Sequence, residues 1–152
     1  MMRIAESSDL QEICALLREM DAENGVLKAD EQKALKTIHA VLDARLCMVC
    51  EEGGQIVASL GLLYGEPFWQ SSEEGYYDRW FYVRQHARGG PHAGELLTTA
   101  KKMARIASHH YGKTIPLWVG ISSPKKTVRK MLFMEKYLTP FGGIFYYMPE
   151  AA

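Results

Sequence analysis

Hydrophobic residues recur every three to four positions over two stretches of the first third of the chain. This spacing is typical of amphipathic helices that bury one face. The first helix follows Ser7-Ser8-Asp9, and a short strand at residues 3–5 precedes it. Asp30 is placed to cap the second helix, because its side chain accepts hydrogen bonds from free backbone N–H groups. The apolar positions are Leu10, Ile13, Leu16, Leu17 and Met20 in the first helix and Leu35, Ile38, Val41 and Leu42 in the second.

Short apolar runs separated by turn residues replace the helical pattern after position 46. Residues 47–50 predict a buried strand, Glu51-Glu52-Gly53-Gly54 a hairpin turn, and residues 55–63 the partner strand. This order of elements predicts an α+β (mixed α/β) fold, in which a mixed sheet carries helices on both faces. The later elements are an aromatic strand at 76–83, a helix from Pro91 to about 110, a strand at 115–121, a helix from Ser123-Pro124 to about 136 and a strand at 142–148.

The composition favours one globular domain over residues 1–152. Lys and Arg number 18, as do Asp and Glu, so the formal net charge of zero gives no general reason to expect a nucleic-acid or membrane partner. Three cysteines are too few for a disulfide framework, and no segment looks like a signal peptide or a membrane span. These features favour a cytoplasmic protein. Cys47 and Cys50 have metal-ligand spacing, but residues three apart on a strand point to opposite faces, so the sequence predicts no metal site.

The segment Val83-Arg84-Gln85-His86-Ala87-Arg88-Gly89-Gly90-Pro91-His92-Ala93-Gly94 joins the aromatic strand to the third helix. Glycines let a ligand come close to the backbone, and proline suits the first turn of a helix. Positions 89, 90, 92, 93 and 94 keep a backbone N–H, whereas Pro91 lacks one. Free N–H groups at the positive end of a helix favour an anion. The segment therefore predicts a phosphate site.

This turn and the order of elements together resemble the GNAT superfamily of acyl-coenzyme A-dependent N-acyltransferases, over nearly the whole chain. The turn of that family reads Arg/Gln-x-x-Gly-x-Gly/Ala. Arg88 and Ala93 fit it, and Pro91 replaces the central glycine. The variant turn and the tail at residues 129–142 are similar to a phage-type acetyltransferase-like branch. The resemblance implies a central mixed sheet of six to seven strands that splays between strands 4 and 5.

The resemblance also implies acetyl-CoA as cosubstrate and an amine, on a small molecule or a protein, as acceptor. Backbone N–H groups of the turn would hold the pyrophosphate, and the end of the fourth strand would pair with pantetheine. Lys125, Lys126, Arg129 and Lys130 either reach the 3'-phosphate end of the cofactor, touch nucleic acid or form a solvated surface. Dimers are common in the family, and the sequence leaves the oligomeric state open. The implied cofactor-binding residues are Phe81, Tyr82, Val83, Arg88, Gly89, Gly90, His92, Ala93, Gly94 and Arg129.

Acetyl transfer to an amine needs a base, because aliphatic amines are mostly protonated at neutral pH and only the neutral form attacks a thioester. Asp78 in the aromatic strand, Glu74 just before it and Glu66 in the preceding loop are the candidates, and each can equally be a surface charge. The family places a tyrosine in its last helix to protonate the leaving thiolate, and Phe133 occupies that position here. Tyr137, one helical turn later, can substitute, or the thiolate leaves unassisted.

Three functions fit this sequence. The first is direct acetyl transfer from acetyl-CoA to an amine. The second is a non-catalytic CoA-binding or regulatory module, which the phenylalanine at position 133 favours. The third is a nucleic-acid-modifying phage protein that uses the basic residues of the fourth helix, since such residues can bind backbone phosphates. Acetyl-CoA binding, thiol release and nucleic-acid binding are the measurements that separate them.

Overall fold

A five-stranded mixed sheet lies at the centre of the structure, a computed structural model that describes residues 1–25, 30–68, 71–121 and 126–140. Strands β1 to β4 are antiparallel neighbours, whereas β5 is parallel to β4. The predicted mixed α/β architecture is confirmed, with five strands in the described residues where six to seven were expected. The strands, which lie side by side in chain order, are β1 (Met2–Ile4), β2 (Cys47–Glu52), β3 (Gln55–Gly65), β4 (Gly75–Val83) and β5 (Leu117–Trp118).

Helices pack on both faces of this sheet. Asp30 caps the second helix as predicted, because its side chain accepts a hydrogen bond from the Lys33 N–H at 3.0 Å. Leu35 is 42% exposed, so the buried face of that helix is narrower than its sequence pattern predicted. The helices of the described residues are α1 (Leu10–Asn24), α2 (Glu31–Asp43), α3 (His92–Tyr111) and α4 (Thr127–Met134).

Two apolar clusters fill the space between the sheet and the helices. The cluster under α1 and α2 includes Cys47 and Val49 of β2, and the cluster under α3 includes Met48 and Cys50. This alternation confirms that Cys47 and Cys50 point to opposite faces, so the two thiols cannot bind one metal ion together. Burial is the main reason why the pKa of each thiol rises to about 11, and both are therefore protonated at neutral pH.

One extra residue in β4 interrupts the regular alternation of its side chains. Asp78 pairs with Leu62 of β3, and Trp80 pairs with Gly61, the residue before Leu62. Arg79 lies between Asp78 and Trp80 and has no partner in the ladder. A single inserted residue moves the following side chains to the other face. Tyr76 therefore packs under α3 while Trp80 packs under α1 and α2, despite their even spacing.

Strand β5 is much shorter than the strand predicted at residues 115–121. It pairs with β4 at only two positions, through Leu117 and Trp118. Position 116 is proline, which has no N–H to donate to a ladder. Beyond the strand, the Gly120 N–H donates to the Asp78 side chain at 2.9 Å instead of to the β4 backbone. Since β4 continues to residue 83, a gap opens between the two strands beyond Asp78.

The start of α3 follows the sequence pattern closely, since Pro91 precedes its first residue. The predicted strand at residues 142–148 and the predicted helix start at Ser123-Pro124 lie outside the described residues. Within the described part of the chain, no helix combines the length and the hydropathy that crossing a bilayer requires.

Candidate active site

The chain turns sharply between β4 and α3. A 3-10 turn at Gln85–Ala87 is followed by Gly89, whose φ of +93° is a left-handed conformation that suits glycine. Pro91 is the N-cap residue of α3, and its carbonyl accepts the N–H of Glu95 at 3.0 Å as the first bond of the helix. Gly89 and Pro91 thus occupy a left-handed turn position and a helix start, the positions that suit glycine and proline.

Five backbone N–H groups in this turn have no hydrogen-bond acceptor among the described residues. Three of them belong to the first turn of α3, where a helix offers no acceptor of its own. The 20 residues of α3 align their peptide dipoles, so the positive end of the helix lies at the same place. This arrangement is able to bind an anion such as a phosphate. The five groups are those of Gly89, Gly90, His92, Ala93 and Gly94.

Arg88 is held at the edge of this turn by a carboxylate of α1. Its guanidinium donates two hydrogen bonds to Glu23, one of them at 2.8 Å, and its Nε donates to the Val83 carbonyl at 2.9 Å. It also lies 5.4 Å from the centre of the Tyr82 ring, whose hydroxyl donates to Glu23 at 3.1 Å. Arg88 lowers the pKa of Glu23, while burial, reinforced by Glu23, raises the pKa of Tyr82 to about 12. Glu23 is therefore ionised and Tyr82 neutral at neutral pH.

The His92 side chain points into the protein. Its side chain is 7% exposed, and its Nε2 lies 2.8 Å from a carboxylate oxygen of Glu52 at the end of β2. The family resemblance implied that His92 contacts a cofactor. The backbone N–H of His92 is free to make that contact, whereas its ring is turned toward β2.

A cavity of about 60 Å³ lies in the gap between β4 and the chain that follows β5. This is room for a few water molecules. α1, β4, the turn, the residues after β5 and α4 all contribute to its walls. The four charged residues among its lining are Glu23, Asp78, Arg88 and Lys130.

Asp78 lies where β4 and β5 part. Its Oδ1 accepts the Gly120 N–H at 2.9 Å, and the residue is partly buried. Burial is the main cause that raises the pKa of this carboxyl, and hydrogen bonds from backbone N–H groups offset part of that rise. A carboxylate whose pKa is raised toward neutral pH is better matched to proton transfer than an exposed one.

The other predicted bases lie elsewhere. Glu74 is exposed and accepts hydrogen bonds from the Tyr64 hydroxyl at 3.2 Å and from Lys113 Nζ at 3.1 Å. Lys113 is the main cause that lowers the pKa of Glu74. Glu66 is exposed in the loop after β3. Neither carboxylate is among the residues that line the cavity.

Tyr137 lies beside the first turn of α3. Its ring packs against Phe133 with 5.1 Å between the ring centres, and its hydroxyl occupies the space that a Cβ at Gly94 would need. Its carbonyl accepts a hydrogen bond from Lys101 Nζ at 2.7 Å, which joins the end of α4 to α3. Tyr137 does not line the cavity that contains Asp78, and Arg129 of α4 is exposed.

The last residues of β4 offer an unpaired strand edge. β3 pairs with β4 as far as Val83, whereas β5 pairs with the other edge only at Tyr76 and Tyr77. Within the described ranges, the second edge of β4 at residues 81–83 thus has no strand partner, although the Val83 carbonyl accepts a hydrogen bond from Arg88 Nε. Phe81 lines the cavity beside this edge.

Sequence reasoning missed the contribution of the last turn of α1. Met20, Glu23 and Asn24 all line the cavity. An acidic side chain at the carboxyl end of a helix interacts unfavourably with the helix dipole. The position of Glu23 in the last turn of α1 therefore indicated that a cation from elsewhere in the fold would pair with it. Lys130, predicted only as one of four basic residues, also lines the cavity, and burial lowers its pKa.

Several solved structures share this fold over the whole chain. An apo aminoglycoside 6'-N-acetyltransferase from Acinetobacter haemolyticus has a TM-score of 0.65 at 12% identity, over 100% of this chain and 99% of that chain. The acetyltransferase AAC(6')-Iy in complex with a bisubstrate analog gives 0.70 at 11% identity, over 99% and 98%. A predicted acetyltransferase from Clostridium acetobutylicum with acetyl-CoA gives 0.68 at 16% identity, over 97% and 96%.

No protein-family model and no curated protein sequence matches the chain. At identities of 11% to 16%, the likeness to these structures lies in the arrangement of helices and strands rather than in the sequence. The chain therefore has the fold of the GNAT acetyltransferases.

Proposed function

We propose that this protein is an N-acetyltransferase that moves an acetyl group from acetyl-CoA directly to an amine. One observation carries the proposal. The unpaired N–H groups at the start of α3 adjoin Arg88, and Arg88 lines the same cavity as the partly buried Asp78. The turn that we propose as the phosphate site is thus adjacent in the chain to Arg88, which lines the cavity that contains the proposed base.

The cofactor would bind from the turn inward. The pyrophosphate accepts hydrogen bonds from the five unpaired N–H groups, and pantetheine pairs with the unpaired edge of β4 at residues 81–83. Arg88 adjoins this turn, and the exposed Arg129 of α4 is the further residue that we propose contacts the phosphates. Solved proteins of this fold that hold CoA or acetyl-CoA support this choice of cosubstrate.

The chemistry would take place beside Asp78. The acceptor nitrogen attacks the thioester carbonyl, a C–N bond forms, and Asp78 accepts the proton that the nitrogen loses. The C–S bond breaks and CoA leaves as a thiolate, which takes its proton from water, since Tyr137 does not line the cavity. Asp78 is favoured over Glu74 because it lines the cavity and burial raises its pKa, whereas Glu74 is paired with Lys113 at the surface.

The acceptor would be an aliphatic amine that is cationic before it reacts. Asp78 places on the cavity wall a carboxylate that is in no salt bridge among the described residues, whereas Glu23 is paired with Arg88. Two of the solved proteins with this fold are named aminoglycoside acetyltransferases, whose name specifies amine acceptors of this kind. Aminoglycosides, diamines and lysine peptides are therefore the first compounds to test.

Cofactor binding is tested by thermal unfolding with acetyl-CoA and with free CoA. A ligand at one hundred times its dissociation constant adds about 2.7 kcal/mol, which corresponds to a rise of about 5 to 10 °C for a chain of this size. Gly90→Leu would cover the N–H groups and abolish the rise. Gly90→Ala is the matched control, because the nearest atom to the added Cβ would be the Ala87 carbonyl oxygen at 3.4 Å.

Absence of a thermal shift with both compounds in the natural chain would refute the proposal. Release of free CoA thiol in the presence of the amine panel then separates an enzyme from a non-catalytic CoA-binding module. A thermal shift without thiol release for any amine would favour the second function.

A further inference from the structure

Three side chains that can bind a metal ion meet beneath the start of α3, on the face of the sheet that α3 covers. They are Cys50 of β2 and His92 and Glu95 of α3. One ligand atom from each lies within 4.8 Å of the other two. The Cys50 sulfur is 3.8 Å from a Glu95 carboxylate oxygen, and the His92 Nδ1 is 3.9 Å from the same oxygen.

The His92 ring is set up as a ligand by its own contacts. Glu52 can only accept a hydrogen bond when it is ionised, so the His92 Nε2 that lies 2.8 Å away carries the ring hydrogen. Nδ1 then holds a lone pair. It is buried and has no hydrogen-bond partner, which is rare for a buried polar atom. A carboxylate behind the second nitrogen is the usual support of a metal-bound histidine.

The donor set suits zinc. Cys, His and Glu are all zinc ligands, with bond lengths of about 2.0 to 2.3 Å. In tetrahedral coordination at those bond lengths, the ligand atoms are about 3.3 to 3.7 Å apart. The distances between the three ligand atoms therefore need to shorten by only a few tenths of an ångström to about 1 Å. The positive end of α3 opposes a cation, but the carboxylates of Glu95 and Glu52 offset it, as does Cys50 once it has released its thiol proton to solvent on binding zinc.

The site is also reachable from solvent. Cys50 is fully buried, while the Glu95 and Glu52 side chains are 46% and 55% exposed. A metal ion can therefore enter from the carboxylate side, and a water molecule can complete the coordination there.

We propose that Cys50, His92 and Glu95 bind one zinc ion, with Glu52 supporting His92 from behind. The ion would join β2 to the first turn of α3 and so fix the position of the turn that precedes the helix. This proposal does not depend on acetyl transfer, and every measurement below is made without acetyl-CoA.

Zinc binding is tested on the full chain, with any histidine tag removed and metal stripped by a chelator. We expect one zinc ion per chain in competition with a metallochromic indicator, and a higher melting temperature in the zinc form. Cobalt should give a thiolate-to-metal absorption band. Glu95→Gln keeps the shape of an exposed side chain and should weaken zinc binding at least tenfold, and Glu52→Gln by about 10- to 100-fold.

Cys50→Ala and Cys47→Ala form a matched pair. Both cysteines are fully buried in β2, but Cys47 points to the opposite face of the sheet. Cys50→Ala should remove the cobalt–thiolate band, while Cys47→Ala should keep it. The proposal is wrong if the natural chain retains no zinc against the indicator, or if the band survives in Cys50→Ala. It is also wrong if Glu95→Gln binds zinc as tightly as the natural chain.

Discussion

Replacement of Asp78 by asparagine should make the protein more stable and less active at once. The fold raises the pKa of this carboxyl mainly by burial, so the ionised form is less favourable in the folded chain than in the unfolded chain. One pKa unit corresponds to about 1.4 kcal/mol. Asparagine keeps an oxygen for the Gly120 N–H but carries no charge. We therefore expect Asp78→Asn to have a higher free energy of unfolding and a higher Tm at pH 7 than the natural chain.

The gain should depend on pH in a definite direction. Below pH 3.8, the ordinary pKa of an aspartic acid, the carboxyl is protonated in both states and the gain vanishes. It grows as pH rises through the raised pKa of the folded state and then stays constant. Denaturant unfolding of both proteins between pH 3.5 and 8 measures this difference. A loss of stability that does not vary with pH would refute the argument that burial disfavours the charge.

Activity should fall because the base is lost. Removal of a general base lowers kcat by about 100- to 10,000-fold. The thiol-release assay with a reactive amine measures this loss, and the thermal shift with acetyl-CoA should persist because the phosphate site is unchanged. Glu74→Gln is the control, since it removes an exposed carboxylate near the same strand and should leave kcat unchanged. An Asp78→Asn protein with normal kcat would refute the assignment of Asp78 as the base.

Three further substitutions test the structure. Glu23→Gln should cost about 0.5 to 1 kcal/mol at pH 7, because the pair with Arg88 is partly exposed. The cost should disappear as pH falls through the lowered pKa of Glu23, which unfolding between pH 7 and 3 measures. Gly61→Ala should lower Tm because its Cβ overlaps the Trp80 ring, at a cost of about 1 to 3 kcal/mol; an unchanged Tm contradicts that packing. Tyr137→Phe should raise KM for acetyl-CoA and change kcat less than about threefold, because the Tyr137 hydroxyl lies beside α3 rather than in the cavity. A large fall in kcat with an unchanged KM would instead identify Tyr137 as the proton donor.

Much of the fold was readable from local patterns. The α3 helix at His92–Tyr111 lies where the apolar spacing and the turn residues predicted it. The strand at Cys47–Glu52 begins where predicted but includes Glu51 and Glu52, which were predicted to belong to the hairpin turn. The prediction failed where a tertiary contact overrode the local pattern. Apolar residues at 115–121 predicted a full strand, but the chain leaves the sheet after Trp118 because the Gly120 N–H bonds to a side chain of β4. Resemblance to a phage-type branch remains a prediction.

The candidate site was readable only in part for the same reason. The turn at Arg88 and Gly89 was predicted as a phosphate site from residues adjacent in sequence, and the structure gives it unpaired N–H groups. The cavity combines residues from α1, β4 and α4, and no local pattern places Glu23 beside Arg88, 65 positions away.

The sequence alone determined most of the helices and strands and the position of the turn before α3, because periodicity, glycine and proline act over a few neighbouring residues. The tertiary structure decided which charges meet. Only packing could turn the His92 ring toward β2, leave its Nδ1 unpaired beside Cys50 and raise the pKa of Asp78 by burial. Burial and long-range contact depend on how distant segments pack, and a linear pattern does not contain that information.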